Sequence, residues 1–395
     1  MTENKRLLTV FARHQPTLET RELYQTLSSL SAEGVSVHCV CARELKLSPE
    51  AHVTQHLASM PKRIPQGLLF WLYFLPSASV QLFRVLRQVR PTAVLVLRSQ
   101  YAFAAFPVCA LFRKRITLLL TMLPSEERRL TVRSNIRRKV LALIDRLGIY
   151  AASTILVPTT ELREQLVRAF PSTARKIEVS APSVMLPESV KQDEFGRIEL
   201  ESWREWLSRF QERKHEVAEK YQLPEKWIFV AVPAELAGRR NVDIVVRALS
   251  SLDNERLALF LWGGSIEKDY VQAMAVSLGL YDQLTLVDSE EDFAALASGC
   301  DLCIQPSNRS GSSRLVLEAL GLGIATIAAE TPEVSEILIR KELLFRPSHV
   351  QALVEKLHSI LNSRGELAQL RKSSQERAIE LGADFGFRLT RRLFG

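Results

Sequence analysis

The sequence predicts an α/β protein with two parallel sheets in series, each covered by helices. Three observations carry this. Short apolar runs alternate with helical patterns from residue 7 onward, the mark of strands buried on both faces. The rhythm breaks once, over 181–226, and then resumes. The chain has 395 residues, two domains at roughly 100–200 residues each.

Residues 7–11 read as a buried strand. Leu23, Leu27 and Leu30 follow at helical spacing, and Gly34 fits a C-cap. Residues 35–41 alternate like a strand. A basic helix at 82–90 ends at Pro91, before a strand at 93–97. An apolar helix (102–112), a strand (116–120), a long basic helix (132–150), a strand (154–157), a helix (160–170) and a short strand (177–179) complete the first series. Pro182, Pro187 and the polar run 191–194 read as linker, and 199–221 as a charged helical segment packed through Trp203 and Trp206. The second series places strands at 228–232, 257–262, 284–287, 302–305 and 325–328. Its helices fall at 242–252, 270–278, 293–298, 313–322, 334–338, 350–361 and 367–381.

Composition narrows the class. Hydrophobic residues make up 47% and charged residues 24%, which excludes disordered, collagen-like and coiled-coil chains. Five cysteines are too few for a disulfide scaffold. Cys300 and Cys303, like Cys39 and Cys41, read as buried reduced thiols. The net charge of +8 favours anionic partners without being a nucleic-acid signature. The apolar run 7–12 is too short for a signal peptide. The run LLFWLYFL (68–75) cannot span the roughly 30 Å hydrocarbon core. Two readings of it stay open: a buried amphipathic helix, or a helix lying on a membrane surface beside Lys62 and Arg63. The basic segment Arg128, Arg129, Arg133, Arg137, Arg138 and Lys139 is either a solvated face or a contact for an anionic acceptor or lipid headgroups.

The most informative stretch is CDLCIQPSNRSGSSRLVLEALGLG (300–323). A strand enters a Ser/Asn/Gly loop that feeds a helix capped by Ser312 or Ser313. Free N–H groups and the positive end of the helix dipole then suit a phosphate. Glu318, further along that helix, suits a sugar hydroxyl. An ordinary strand–loop–helix connection is the plainer alternative.

The second half resembles the GT-B retaining glycosyltransferases of family 4 (group 1). FVAVPAELAGRRNVDIVVRAL resembles that family's donor-loop unit, and LALFLWGGSIEKDYVQAMAVSLGLYDQLTLVD its glycine-ended strand and next helix. DFAALASGCDLCIQPSNRSGSSRLVLEALGLGIATIAA resembles its donor-site block, and TPEVSEIL its Pro-Glu segment. RVLRQVRPTAVLVLRS and ASTILVPTTELREQL fit the first half more loosely. The resemblance implies a GT-B fold with two facing Rossmann-like domains: an acceptor domain at 1–185, a linker and helical insert at 186–226, and a donor domain at 227–380. The segment 381–395 would be a C-terminal helix crossing back to the first domain.

The same resemblance implies transfer of a sugar from a nucleotide-diphosphate sugar to a glycan or lipid-linked acceptor, with retention. Glu318 takes the ribose-binding position. Arg239, Arg240, Ser312, Ser313, Arg314 and Gly264 are the phosphate-binding candidates, and Ser310 and Glu126 the catalytic candidates. No metal and no cofactor beyond the co-substrate is expected. The protein is expected to be cytoplasmic, with peripheral contact on the inner face of a membrane, and without a nucleic-acid partner.

Departures from the family pattern fall on its chemistry. Ser310 stands where the motif's first Glu would be, and Glu235 where the donor-loop Arg would be. Arg240 replaces a Lys and keeps the charge. No glycine occupies the loop near Pro16-Thr17-Leu18-Glu19, and no His follows the strand at 116–120, where Thr121 to Glu126 stand. A catalytically degenerate binding or partner subunit is therefore the alternative. A relative of the epimerases or of glycogen-type phosphorylases is a third. The latter needs a desolvated lysine, for which Lys268 and Lys341 are the nearest positions.

Overall fold

The computed structural model describes residues 5–11, 23, 26–27, 29–31, 33–45, 53–61, 68–131, 134–187, 189–193, 195–234, 238–252, 256–263, 268–288, 292–308, 311, 313–361 and 364–395. The chain forms two compact units. Unit 1 comprises 1–181 with 385–395, and unit 2 comprises 182–384.

Unit 1 holds β1 (Arg6–Phe11), β2 (Ser36–Cys41), β3 (Val53–Leu57), β4 (Ala93–Val96), β5 (Ile116–Leu119), β6 (Thr154–Val157) and β7 (Ile177–Val179). They pair in the order β3-β2-β1-β4-β5-β6-β7, every pair parallel. Val10, Val94, Leu118 and Ile155 fill its core. The helix Phe385–Phe394 belongs to this unit. Its Leu389 is buried, Arg392 pairs with Glu178 at 2.5 Å, and Arg388 donates to the Ala181 carbonyl at 2.9 Å.

Unit 2 holds β8 (Ile228–Pro233), β9 (Leu257–Trp262), β10 (Leu284–Val287), β11 (Leu302–Gln305), β12 (Ala325–Ala329) and β13 (Leu344–Phe345). The order is β10-β9-β8-β11-β12-β13, again parallel throughout. At the amino end of β11, Lys214 Nζ donates to Asp301 Oδ2 at 2.7 Å, and the same oxygen accepts the Phe229 N–H at 2.9 Å. This buried pair fastens the helix Phe210–Tyr221 to the sheet.

Several elements differ from the sequence expectation, each for a physical reason. β3 is an edge strand with half-exposed polar residues, so it carries no apolar run. Residues 68–88 form one helix, not an apolar turn and a separate basic helix. Pro76 is tolerated inside it because Pro76 and Leu72, whose carbonyl loses its partner, both face solvent. The helix Pro124–Thr131 precedes Asn135–Ala151, which starts at a Ser134 cap. The helices Leu200–Ser208 and Phe210–Tyr221, expected in a separate insert, are integral to unit 2, as is the segment from Pro182.

Candidate active site

In unit 2, β8 and β11 are neighbours, with Val230 opposite Leu302 and Ala231 opposite Cys303. From β8 the order runs to β9 on one side and to β11 on the other. Their carboxyl ends therefore flank the switch point where open parallel sheets take ligands.

β11 ends at buried Gln305, whose side-chain oxygen accepts the Ser307 N–H at 2.9 Å and turns the chain. The helix Ser313–Gly321 begins a few residues later and is buried along its whole length. Its first N–H groups have no partner within the helix, and its dipole is positive there. Glu318 lies on this helix and is 2% exposed. Ser313 and Arg314 are buried in its first turn.

The far end of the helix is fixed by linker residues. Trp203 Nε1 donates to the Gly321 carbonyl at 3.0 Å and Trp206 Nε1 to that of Leu322 at 3.2 Å. These are the carbonyls a helix leaves open at its C-terminus. A Cβ at Gly321 would lie 2.0 Å from the Met185 carbonyl oxygen. The segment after Pro182 thus runs against the helix and sets its height.

Glu333, marked in the sequence only as part of the Pro-Glu segment and given no role there, organises the loop. Thr331 caps the helix Pro332–Leu338, accepting the Val334 N–H, and Pro332 opens it. Glu333 in that first turn is buried. Its two carboxylate oxygens accept the Gly311 N–H at 3.2 and 3.1 Å, and Ser313 Oγ donates to it. Gly311 has φ +84°, which glycine adopts freely. The Thr-Pro-Glu order was a readable helix start, but its contact across 22 residues was not.

Arg239 and Arg240 sit in the first turn of the helix Gly238–Ser250. That helix leads off from the β8 side of the switch point, and their side chains lie outside the described residues. Asn241 Nδ2 donates to Asn308 Oδ1 at 3.0 Å, joining the segments after β8 and β11. Tyr270 donates to Asp243 Oδ2 at 2.7 Å. No sequence signal marked these four residues.

Ser310, Ser312, Gly264, Glu235 and the loop around Pro16 lie outside the described residues, as do Lys62, Arg63 and Arg133. Gly263, next to Gly264, donates its N–H to the Val287 carbonyl at 3.0 Å. Glu126 is half-buried on the helix Pro124–Thr131 in unit 1. Lys341 is exposed, without the desolvation a cofactor-binding lysine needs, and the Lys268 side chain is outside the described residues. Burial pushes the Cys300 and Cys303 thiols up, so both stay protonated.

The basic segment of unit 1 is divided. Arg128 turns inward and pairs with buried Asp145, which also accepts from Ser99 Oγ at 2.6 Å. Burial pushes the Asp145 carboxyl up, against the opposing pull of Ser99 and Arg128. Arg98 pairs with Glu127. Arg129, Arg137 and Lys139 face solvent, and Arg138 is half-buried.

Compared with solved structures, the chain superposes over 99% of its length on 99% of sucrose-phosphate synthase from Thermosynechococcus elongatus, at a TM-score of 0.74 and 16% identity. Anabaena HepE in complex with UDP and glucose gives a TM-score of 0.70 at 14% identity, with 99% of each chain covered. The fold is GT-B. Within this GT-B chain, residues 213–378 match the model of the family Glycosyl transferases group 1. The matched stretch contains Glu318, Glu333, Arg239 and Arg240. Among curated proteins, the O-antigen biosynthesis glycosyltransferase WclY of Escherichia coli is 23% identical over 159 residues, 40% of this chain and 44% of that protein. The GT-B chain thus spans less than half the length of this relative.

Proposed function

We propose that the protein transfers a sugar from a nucleotide-diphosphate sugar to a glycan or lipid-linked acceptor, with retention of anomeric configuration. One observation carries this reading. Glu318 is buried on the helix that starts at the switch point of unit 2, inside the stretch that matches the group 1 family. A carboxylate there accepts from the two ribose hydroxyls in charge-assisted hydrogen bonds. The start of the helix lies toward the diphosphate, where negative charge grows as the sugar departs. Arg240, Arg239 and Arg314 supply cations, with Ser312 as a hydroxyl donor, Ser313 acting through its backbone N–H at the helix start, and Gly264 leaving room for the phosphates. In this scheme neutralisation comes from arginines and the helix end, so the reaction runs without a metal or further cofactor. Ser310 and Glu126 are the groups nearest to a catalytic role. The acceptor class follows the O-antigen relative, and the site of action is the cytoplasmic face of a membrane.

Calorimetric titration with UDP and GDP, followed by assay of the matching nucleotide sugars, tests the proposal. Glu318→Gln is expected to weaken binding of the preferred nucleotide by about 10–100-fold, the value of hydrogen bonds to a charged group. Unchanged affinity in that variant overturns the assignment of Glu318.

A second reading has an observation of its own. Glu333 already takes the Gly311 N–H and the Ser313 hydroxyl, two of the donors a phosphate could use. This favours a binding or partner subunit on the same scaffold. It predicts a folded protein that binds neither diphosphate and hydrolyses no nucleotide sugar.

A further inference from the structure

Residues 51–125 contain nine lysines and arginines and no aspartate or glutamate. Three helices of unit 1 draw most of their residues from this stretch or follow just after it: Leu68–Gln88, Ser99–Leu111 and Asn135–Ala151. They belong to the connections β3 to β4, β4 to β5 and β5 to β6, which all advance the same way along the sheet. Right-handed crossovers therefore put them on one face. Ser99–Leu111 packs against both of the others.

The outer side of this layer is apolar. On Asn135–Ala151, Ile136 (74% exposed), Val140, Leu143 (58%) and Leu147 face solvent. Positions 136, 140, 143 and 147 fall on one helical stripe. Arg137 flanks it on one side, and Lys139 and Arg146 on the other, all exposed. The one acid of this helix, Asp145, points inward to Arg128. On Leu68–Gln88, Leu72 (67%), Val80 and Phe83 face out, with Arg84 and Arg87 exposed beyond them. Leu111 (71%) and Phe106 extend the surface on the middle helix. The aromatic run read from the sequence contributes less than its composition promised. Phe74 is fully buried, and Phe70 and Trp71 pack on it.

We propose that this three-helix face of unit 1 docks on a bilayer surface that carries anionic headgroups. Apolar side chains enter the acyl boundary while the flanking cations stay at headgroup level, the arrangement of an interfacial amphipathic helix. Charge selects lipid over a second copy of the chain. Two copies meeting through this face would oppose Arg137, Lys139 and Arg146 to their own equivalents; these three helices carry no exposed acid, and Glu164, the exposed acid of the helix Thr160–Ala169 on the same face, already pairs with its own Arg168. Among the described residues no helix is long and apolar enough to cross a membrane, so the contact is one of lying on the surface. The inference stands on this surface alone and is independent of the sugar-transfer reading.

The test is co-sedimentation of the full chain with vesicles of phosphatidylcholine, with and without phosphatidylglycerol. The chain is expected to partition onto the phosphatidylglycerol vesicles and to release as salt is raised. Leu143→Ser with Leu147→Ser should lower the partition coefficient by roughly tenfold or more. Arg137→Gln with Lys139→Gln and Arg146→Gln should remove the preference for the anionic vesicles, at about fivefold per cation. All five positions are exposed, and circular dichroism checks the fold. A second measurement needs no surface variant. Trp71 is the one tryptophan of unit 1, and bromolipid in anionic vesicles should quench an emission component that Trp71→Phe abolishes. No binding of the wild-type chain, equal partition of the wild type and the serine variant, or a wild-type dimer that the same serine substitutions disperse would each overturn the proposal. Nucleotide titration of the same variants reads the transferase site separately.

Discussion

Gly148 and Gly321 are glycines because backbone carbonyls occupy the place of a side chain. A Cβ at Gly148 would stand 1.8 Å from the Ser99 oxygen. Gly148→Ala is expected to destabilise unit 1 by about 1–3 kcal/mol or more in denaturant titration. Overpacking against rigid backbone outweighs the ~1 kcal/mol that alanine gains in a helix. Glu333→Gln removes the charge from three hydrogen bonds, and a loss of about 1–3 kcal/mol in the same measurement is the expected outcome. Such residues separate what the sequence shows from what it hides. Glu318 and Ser313 are legible because a strand, a polar loop and an apolar helix surround them in order. Glu333, Asn241 and Asn308 are not, because each acts through a partner more than 20 residues away. Arg128 is misleading in sequence. It sits in a run of cations, and only the fold shows that Asp145 waits beneath it.

At the scale of elements, β2 and β3 carry a pair of histidines. His38 Nδ1 and His56 Nε2 lie 3.1 Å apart with the rings stacked. Burial lowers the His38 value, helped by His56 and Arg6, and burial lowers that of His56. A base depressed in the folded state binds fewer protons there than when unfolded. Its contribution to stability is whole above the ordinary value of 6.5 and is lost as pH falls through the lower folded value. The melting temperature should therefore drop on acidification below pH 6.5. His38→Gln with His56→Gln should flatten that slope, and an unchanged slope would rule the pair out as its source. On the other sheet, Lys214→Met removes the hydrogen-bonded cation of Asp301 and leaves Arg371 at 3.8 Å, and a loss of about 3 kcal/mol in chemical denaturation, the low end for breaking a buried pair, is expected. Element type was readable wherever both faces are buried, as in β4, β9 and β12. It was not readable in β3, where an exposed edge relaxes the need for apolar residues, nor across Pro76, where solvent supplies the missing hydrogen bond.

At the scale of the whole molecule, unit 1 is discontinuous in sequence. Its sheet is made from the first 181 residues, and its closing helix comes from 385–394. A Cβ at Gly386 would meet the Ser29 carbonyl oxygen at 2.6 Å, so the helix is seated closely. A chain ending at Asp384 is expected to lose cooperative unfolding of unit 1 first. Hydrogen exchange should show β1 and β7 opening while β8 and β11 stay protected. Composition and alternation were enough to forecast two α/β units, because burial on both faces leaves a long-range pattern. The residue at which one unit hands over to the other was not forecast to the same precision, since Met185 meets the helix Ser313–Gly321 through its backbone, and its own side-chain type carries no mark of that contact. The split also fixes an order of events during synthesis. When residues 182–384 emerge from the ribosome they can complete their own sheet at once, whereas the half made before them must wait, its core around Leu389 still open, for a helix that has yet to be translated.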